Sequence, residues 1–369
     1  MLGIEYPILS AGMGPTLIGE TTGAPVDLVV AVSEAGGLGV LGGSGFTVED
    51  MREAIREIKS KTKKPYGVDL LLPQKLELGG RADAKDMHLA EILKLIPKSH
   101  QEWIKKIKED LQIPDVDIIV KMNTTTMHPQ ESIKVCIEER VPLFCAGLGN
   151  PGFMVNDAHA VGMKVLGITG NTKNAGRMAK SGIDILVAQG HEGGGHTGRI
   201  GTMALLPQAI DAAYPVPVLA AGGIGDGRGL AAALAMGCIG VWVGTRFLAT
   251  DEGGALPVNK QRIIQSTDED TRVSKAYTGK TLRASYNQFH DLWDESGLEP
   301  LPFPSQVIIS SALLAGFVEA HKDEYVGGLA GQISGLIKEI KPARQVLEEM
   351  VEEAVDILTK KLPQTVIAK

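Results

Sequence analysis

The sequence predicts an α/β fold: a closed TIM (β/α)8 barrel with a helical insertion after its third strand and extra C-terminal helices. Three observations lead there. Eight short, near-continuously apolar runs recur along the chain, as strands buried on both faces of a parallel sheet require. Amphipathic helical segments separate them, so each passage between strands is a crossover. Glycine accounts for 45 of 369 residues, about one in eight against a usual ~7%, and it gathers just after the apolar runs. A doubly wound open sheet is the competing arrangement of the same elements.

Taken in order, Pro7 to Ala11 is an apolar run that breaks into Gly12-Met-Gly-Pro15. Asp27 to Ala35 has helical period and stops at Gly36-Gly37. Leu38 to Leu41 is a second strand, and Thr47 is placed to cap a helix over Val48 to Lys59, with Glu49 and Asp50 in its first turn. Pro65 to Leu72 is the third strand. Residues 73–133 break the rhythm and read as an insertion: a charged loop at Lys75 to Lys85, helical spacing at His88–Pro97 and Gln101–Leu111, and a short strand candidate at Val116–Val120.

The alternation then resumes with a helix near Glu131–Glu139, strand Pro142–Cys145, a helix near Phe153–Val161 and strand Lys164–Ile168. Helix Thr172–Ser181, strand Ile183–Ala188 and helix Met203–Ala213 follow. Strand Pro217–Ala220, helix Gly227–Met236 and strand Ile239–Val243 complete the set. The barrel is thus expected in residues 1–250, interrupted at 73–133, with a C-terminal extension over 251–369 that is first irregular, then helical. Its amphipathic helices, Gln306–His321 and Ala343–Lys361, are expected outside the barrel or against a partner subunit.

Composition narrows the functional classes. Lys+Arg 37 against Asp+Glu 44 gives a net charge of −7, which argues against nucleic acid as a partner. A hydrophobic fraction of 44% excludes a disordered chain, and no charge-free apolar run reaches the ~18 residues of a membrane span. The start at Met1 lacks the basic-then-apolar pattern of a signal peptide, which makes the cytoplasm the expected location. Cys136, Cys145 and Cys238 cannot build a disulfide framework, show no zinc spacing, and read as small buried apolar residues.

In a parallel barrel, ligands bind where strands end at their carboxyl side. Glycines stand there after nearly every run: Gly12, Gly42-Gly43, Gly147, Gly170, Gly190 to Gly198, Gly222-Gly223 and Gly244. The pattern suits a large flat ligand pressed against backbone. Ala220-Ala-Gly-Gly-Ile224 and Gly244-Thr245 end the last two strands, where such barrels commonly bind phosphate, and Thr245 adds a hydroxyl. Arg246 either joins that phosphate or pairs with a carboxylate outside the barrel. Gln189 to Gly198, with five glycines, two histidines and Glu192, is read as a mobile or tightly curved loop over the ligand. One histidine is expected to serve as acid/base, tuned near neutrality, with Glu192 or the ligand as partner. His191 and His196 lie five residues apart in loop, not on one helix face, so a metal site is not expected. His128 and His290 are secondary candidates for approaching the mouth. No Gly-x-Ser-x-Gly elbow or phosphate-binding Lys loop is present.

These residues resemble the nitronate monooxygenase family, formerly called 2-nitropropane dioxygenases, and the related FMN-dependent enoyl-ACP reductases. The most specific segment is Ala188-Gln-Gly-His-Glu-Gly-Gly-Gly-His-Thr-Gly198. Pro-Ile-x-x-Ala-Gly-Met at 7–13, Ala-Gly-Gly-Leu-Gly at 35–39, Ala-Ala-Gly-Gly-Ile at 220–224 and Gly-Thr-Arg-Phe at 244–247 add to it. The resemblance implies an FMN-dependent oxidoreductase. The FMN would lie over the barrel, its phosphate near Gly223 and Gly244-Thr245, its ring by Gly12 and Met13, with Gln189 and Gly194 along it. It counts Asp69, Gly195, Ala221 and Gly222 among the cofactor-binding residues and makes His196 the catalytic acid/base. The chain departs from the resembled pattern at Gly67-Val-Asp-Leu70, where many members have Asn; an ionised Asp69 would put negative charge near the flavin and lower its potential.

Two activities fit the resemblance: oxidation of alkyl nitronates with dioxygen, and NAD(P)H-dependent reduction of an enoyl or other acyl thioester or a quinone, with NADH or NADPH as co-substrate. The expected partner is accordingly a small-molecule or acyl-thioester substrate, and a homodimer is left open. A phosphate-binding, non-redox barrel is the third reading; an aldolase would need a strand-end lysine, for which Lys121 is the candidate.

Overall fold

The computed structural model describes residues 1–15, 22–72, 86–121 and 123–365. Eight parallel strands form one sheet: β1 (Ile8–Ser10), β2 (Gly39–Gly42), β3 (Tyr66–Leu71), β4 (Leu143–Leu148), β5 (Lys164–Thr169), β6 (Ile185–Gln189), β7 (Val218–Ala221) and β8 (Gly240–Val243). Each pairs with its neighbour in the chain, and β8 pairs back onto β1 in the register Leu9↔Trp242. The ring closes beside β2, where the Leu38 N–H donates to Ile8 O and the Ser10 N–H to Leu38 O, both at 3.0 Å. An open doubly wound sheet would leave that edge free, so the barrel is the architecture.

Alternation along the strands divides the apolar residues between two cores. Leu9, Val40, Leu143, Leu166, Val187 and Leu219 fill the barrel interior. Their neighbours Ile8, Leu41, Val68, Phe144, Val165 and Leu186 face the surrounding helices. Helix starts follow the expected capping chemistry: the Asp50 N–H donates to Thr47 Oγ1 at 3.0 Å ahead of helix Val48–Lys61, and Asp226 accepts from Arg228 and Gly229 N–H groups ahead of Gly227–Ala235.

The insertion is smaller than 73–133. The chain rejoins the barrel at Thr125, whose N–H donates to Phe46 O at 2.8 Å and whose Oγ1 donates to Gly43 O at 2.8 Å. Helix Pro129–Glu138 is the barrel helix that follows β3, so a boundary at 133 cuts through it. The insertion proper holds helices Leu89–Leu93 and Lys98–Asp110 and an antiparallel pair, Asp86–His88 with Ile119–Lys121. The loop expected over Lys75 to Lys85 lies outside the described residues.

Residues after Thr250 are also more regular than their sequence suggests. Strands Thr271–Ser274 and Leu282–Ser285 form a hairpin, and Leu282 pairs with His196 in the short strand Gly195–His196. Helix Ser305–Glu319 is not an amphipathic helix on the outside: it is buried on nearly every side in a third core, with Ile104, Ile113, Phe289, Trp293, Leu313 and Phe317. Gly316 permits that approach, because a Cβ there would come within 2.2 Å of Ile113 Cγ2. Helix Ala343–Asp356 does lie on the barrel, burying Val346, Leu347, Met350 and Ala354 while Glu348 and Glu352 face outward. Among the described residues no helix is long and apolar enough to cross a membrane.

Candidate active site

A cavity of about 1020 Å³ opens over the carboxyl ends of the strands. Gly12 and Met13, just after β1, and Asp69, near the end of β3, lie along its floor. Ala221, Gly222 and Gly223 after β7 and Gly244 with Thr245 after β8 form one wall. Gln189, Gly194, Gly195 and His196 come in from the loop after β6. These twelve residues, expected from the sequence to bind the ligand or act on it, line this one space. His128 and His290 do not line it, and among the described residues no cluster of His, Cys, Asp or Glu is arranged to hold a metal.

The β7 and β8 wall is shaped by backbone. Gly222 and Gly223 take φ of +85° and +72°, a region that side chains disfavour, and successive N–H groups in such a turn form a concave anion seat. A Cβ built on Gly244 would meet only Ala11 Cβ at 3.6 Å and Met13 Sδ at 3.8 Å, ordinary contacts. The fold itself therefore leaves room for a side chain at Gly244, and the glycine keeps space open in the cavity. Thr245 Oγ1 accepts from the Gly331 N–H at 2.9 Å. Arg246 takes neither of its expected partners: it is buried and donates to Ala249 O at 2.9 Å and Glu339 O at 3.1 Å, tying the chain after β8 to the C-terminal segment.

The Gln189 to Gly198 loop is tightly curved and held at many points rather than loose. Glu192 is not a partner of His196. It receives the Thr202 N–H at 2.9 Å and the Thr202 hydroxyl at 2.9 Å, closing the start of helix Thr202–Ala213. The buried Arg283 guanidinium donates to His191 O at 3.2 Å, and His191 Nδ1 lies 2.7 Å from Gly198 O. Gln189 Nε2 donates to His196 O at 2.8 Å, fixing the backbone that carries the histidine. From the other side, Gly194 sits against the chain at Ala330, where a Cβ would approach the Ala330 carbonyl carbon to 2.7 Å.

His196 Nε2 lies 3.1 Å from Thr278 Oγ1. Burial, aided by the positive charge of Lys280, pulls its pKa down from 6.5 to about 4, not toward neutrality. At neutral pH the ring is uncharged and able to accept a proton. Asp69 departs from its sequence reading in the same sense: burial pushes its carboxyl well above the ordinary range, against a smaller pull from the Gly147 N–H, so the cavity floor disfavours a negative charge there.

Among the lining residues that escaped the sequence reading are three with polar side chains. Thr278 and Tyr277 come from the turn between the two hairpin strands, and Asn259 from helix Pro257–Gln265. Asn259 is buried with its Oδ1 unpartnered, the condition of a polar group awaiting a ligand. Beyond His196 the cavity runs into an apolar arm between insertion and C-terminal region, lined by Leu71, Val120, Met127, Phe303, Val307 and Ile308.

Comparison with known proteins agrees with the barrel fold. The sequence model of the nitronate monooxygenase family matches residues 1–353. A monooxygenase-named protein of Mycobacterium tuberculosis is 36% identical over 371 residues, covering 96% of this chain and 95% of the relative. Among solved structures, FabK from Thermotoga maritima superposes with a TM-score of 0.74 at 31% identity, over 99% of this chain and 97% of that one. The nitroalkane oxidase from Streptomyces ansochromogenes superposes at 0.78 with 25% identity, over 97% and 98%.

Proposed function

The chain belongs to the nitronate monooxygenase family and is an oxidoreductase, and from that premise we propose that it uses FMN to oxidise alkyl nitronates with dioxygen, with His196 as acid/base. The observation that carries the reading is the convergence of the glycine-lined wall, the floor at Gly12 and Met13, and His196 on one cavity.

The residues present suit FMN. Gly222, Gly223, Gly244 and Thr245 offer backbone N–H groups and a hydroxyl to a phosphate, with a space at Gly244 that a Cβ would fill. Gly12 and Gly194 line the space for a planar ring with backbone, and the unpartnered Asn259 Oδ1 suits a polar chain between ring and phosphate. Bound there, FMN supplies the electron acceptor that no side chain can provide.

His196 does the proton work. Its neutral ring can take the α-proton of a neutral nitroalkane at a ring nitrogen, leaving the nitronate that is oxidised, and the cost of charging a buried imidazole makes it release that proton readily. Thr278 orients the ring through Nε2, and Gln189 fixes its backbone. The Glu192–Thr202 contacts keep the loop closed against the helix behind it.

A second reading rests on the apolar arm. Its length of aliphatic wall suits an acyl chain better than a small nitronate, which favours NAD(P)H-dependent reduction of an enoyl or other acyl thioester. One titration separates the two. The visible spectrum of the purified protein is recorded, followed by anaerobic NADPH, NADH and an alkyl nitronate in turn. Bleaching of a flavin band by nitronate alone supports the oxidase, prompt bleaching by a nucleotide supports the reductase, and a colourless protein that takes up no FMN overturns both.

A further inference from the structure

The wall of the apolar arm and the turn that bears Thr278 are fastened to each other. Helix Ser305–Glu319 opens with Val307 and Ile308, which line the arm. On the same helix Gln306 and Ser310 are buried and do not line the cavity. Both aim a donor at one acceptor: Gln306 Nε2 and Ser310 Oγ each donate to Ala276 O at 2.6 Å. The other end of the Gln306 amide is fixed as well, its Oε1 accepting the Leu301 N–H at 2.8 Å.

Two further contacts clamp the turn to the segment ahead of that helix. A Cβ on Gly279 would come within 2.0 Å of Leu301 O, so the two backbones touch there. Lys280 Nζ lies 5.2 Å from the centre of the Phe303 ring, and Phe303 is itself an arm residue. Thr278 is thus held from behind by the arm wall, while its hydroxyl meets His196 Nε2 at 3.1 Å. Contacts with Leu282 and Gln189 fix the His196 main chain, but among the described residues the ring itself is hydrogen-bonded by Thr278. A close-packed interior has little slack, and displacement passes along contiguous packed and hydrogen-bonded groups.

We propose that the arm and the imidazole are coupled through these contacts. A substrate tail packed against Val307 and Ile308 seats the helix, Gln306 and Ser310 carry that seating to Ala276, and the Thr278 hydroxyl is set against His196. Gln306 and Ser310 are positioning residues, touching neither ligand nor histidine. Tail length therefore acts on turnover as well as on affinity, because a substrate that leaves the arm empty meets a less well placed ring. The inference rests on His196 as the group that handles the substrate proton.

The test uses holoprotein isotopically labelled at histidine Cε1 and at the methionine methyls, followed by nuclear magnetic resonance. Met127 lines the arm and reports its filling, and His196 reports the ring; each signal is identified by its absence in Met127→Leu or His196→Ala. Primary alcohols from hexanol to decanol are the probes. In the wild type both signals should shift along the series. In the double variant Gln306→Met, Ser310→Ala, the Met127 shift should persist and the His196 shift should be lost. Ser310→Ala alone keeps one of the two donors, should show a reduced His196 shift, and serves if the double variant does not fold. Three results overturn the proposal: Met127 moving while His196 stays still, equal His196 shifts in wild type and variants, or no Met127 response to any alcohol.

The second measurement is turnover of neutral nitroalkanes of increasing length, which need a base, beside their preformed nitronates, which do not. For the nitroalkanes kcat should rise with length, within the ~100-fold that a misplacement of about 1 Å costs, while for the nitronates it stays flat. The double variant should flatten the first series while KM still falls with length. A wild-type nitroalkane kcat that ignores length overturns the inference. Refusal of nitroalkanes, or of nitronates as well, defeats the proposed function instead, and the resonance shifts still decide the coupling.

Discussion

The imidazole of His196 and the hydroxyl of Thr278 meet at 3.1 Å across 82 residues of chain. They are brought together by a strand pairing, Leu282 against His196, that joins the loop after β6 to the C-terminal hairpin. The position of the histidine is therefore decided by two segments, only one of which belongs to the barrel.

Thr278→Val should lower kcat/KM by about fivefold, the effect of losing a hydrogen bond worth ~1 kcal/mol. Flavin content should not change, and Thr278→Ser should restore the rate. A valine variant as active as wild type would remove Thr278 from the site's machinery.

His196→Ala should keep FMN and lose roughly 10²- to 10⁴-fold in turnover. The pH profile carries a sharper signature. Because burial depresses the folded-state pKa, the neutral base survives as pH falls through 6.5 and is lost only near about 4. The acid limb of kcat/KM should therefore lie near about 4, and Lys280→Gln should move it upward by removing a nearby positive charge. A limb near 6.5 in the wild type would contradict the burial seen here.

Gly244→Val should fold normally, since a Cβ at that position makes only ordinary contacts, yet lose its flavin. Gly223→Val should lose flavin too, but with added backbone strain from φ of +72°. Circular dichroism and the flavin-to-protein absorbance ratio measure the two effects separately. A fully flavinated Gly244→Val would move the phosphate elsewhere.

Gly194→Ala should destabilise the protein by about 1–3 kcal/mol, because the new methyl would press on backbone at Ala330 and Gly331. A lower thermal midpoint checks this. Gly195→Ala has no such neighbour within reach but sits at φ of +71°, so its smaller loss would isolate the conformational part.

The barrel could be read from sequence because doubly buried parallel strands leave uninterrupted apolar runs, as at Leu143–Leu148, and glycine marks where they end. The hairpin could not. Thr271–Ser274 is half-buried throughout, and Leu282–Ser285 buries Arg283; neither alternates, and both become strands only by pairing with each other and with His196. Thr278 and Asn259 were hidden for that reason, being brought to the cavity by contacts distant in sequence. Charge state was equally illegible at Asp69 and His196, since burial sets it and burial is a property of the folded chain.

Val120 of the insertion and Phe303, Val307 and Ile308 of the C-terminal region supply most of the apolar arm, while barrel strand ends supply the glycine-lined wall and floor. Selectivity is thereby carried largely off the barrel, whereas reactivity is shared between the strand ends and the turn that bears Thr278. Mutations accumulating at Val120, Phe303, Val307 and Ile308 can recut the arm for a longer, shorter or bulkier tail without disturbing a residue at the strand ends. A lineage built this way can change diet while keeping its chemistry.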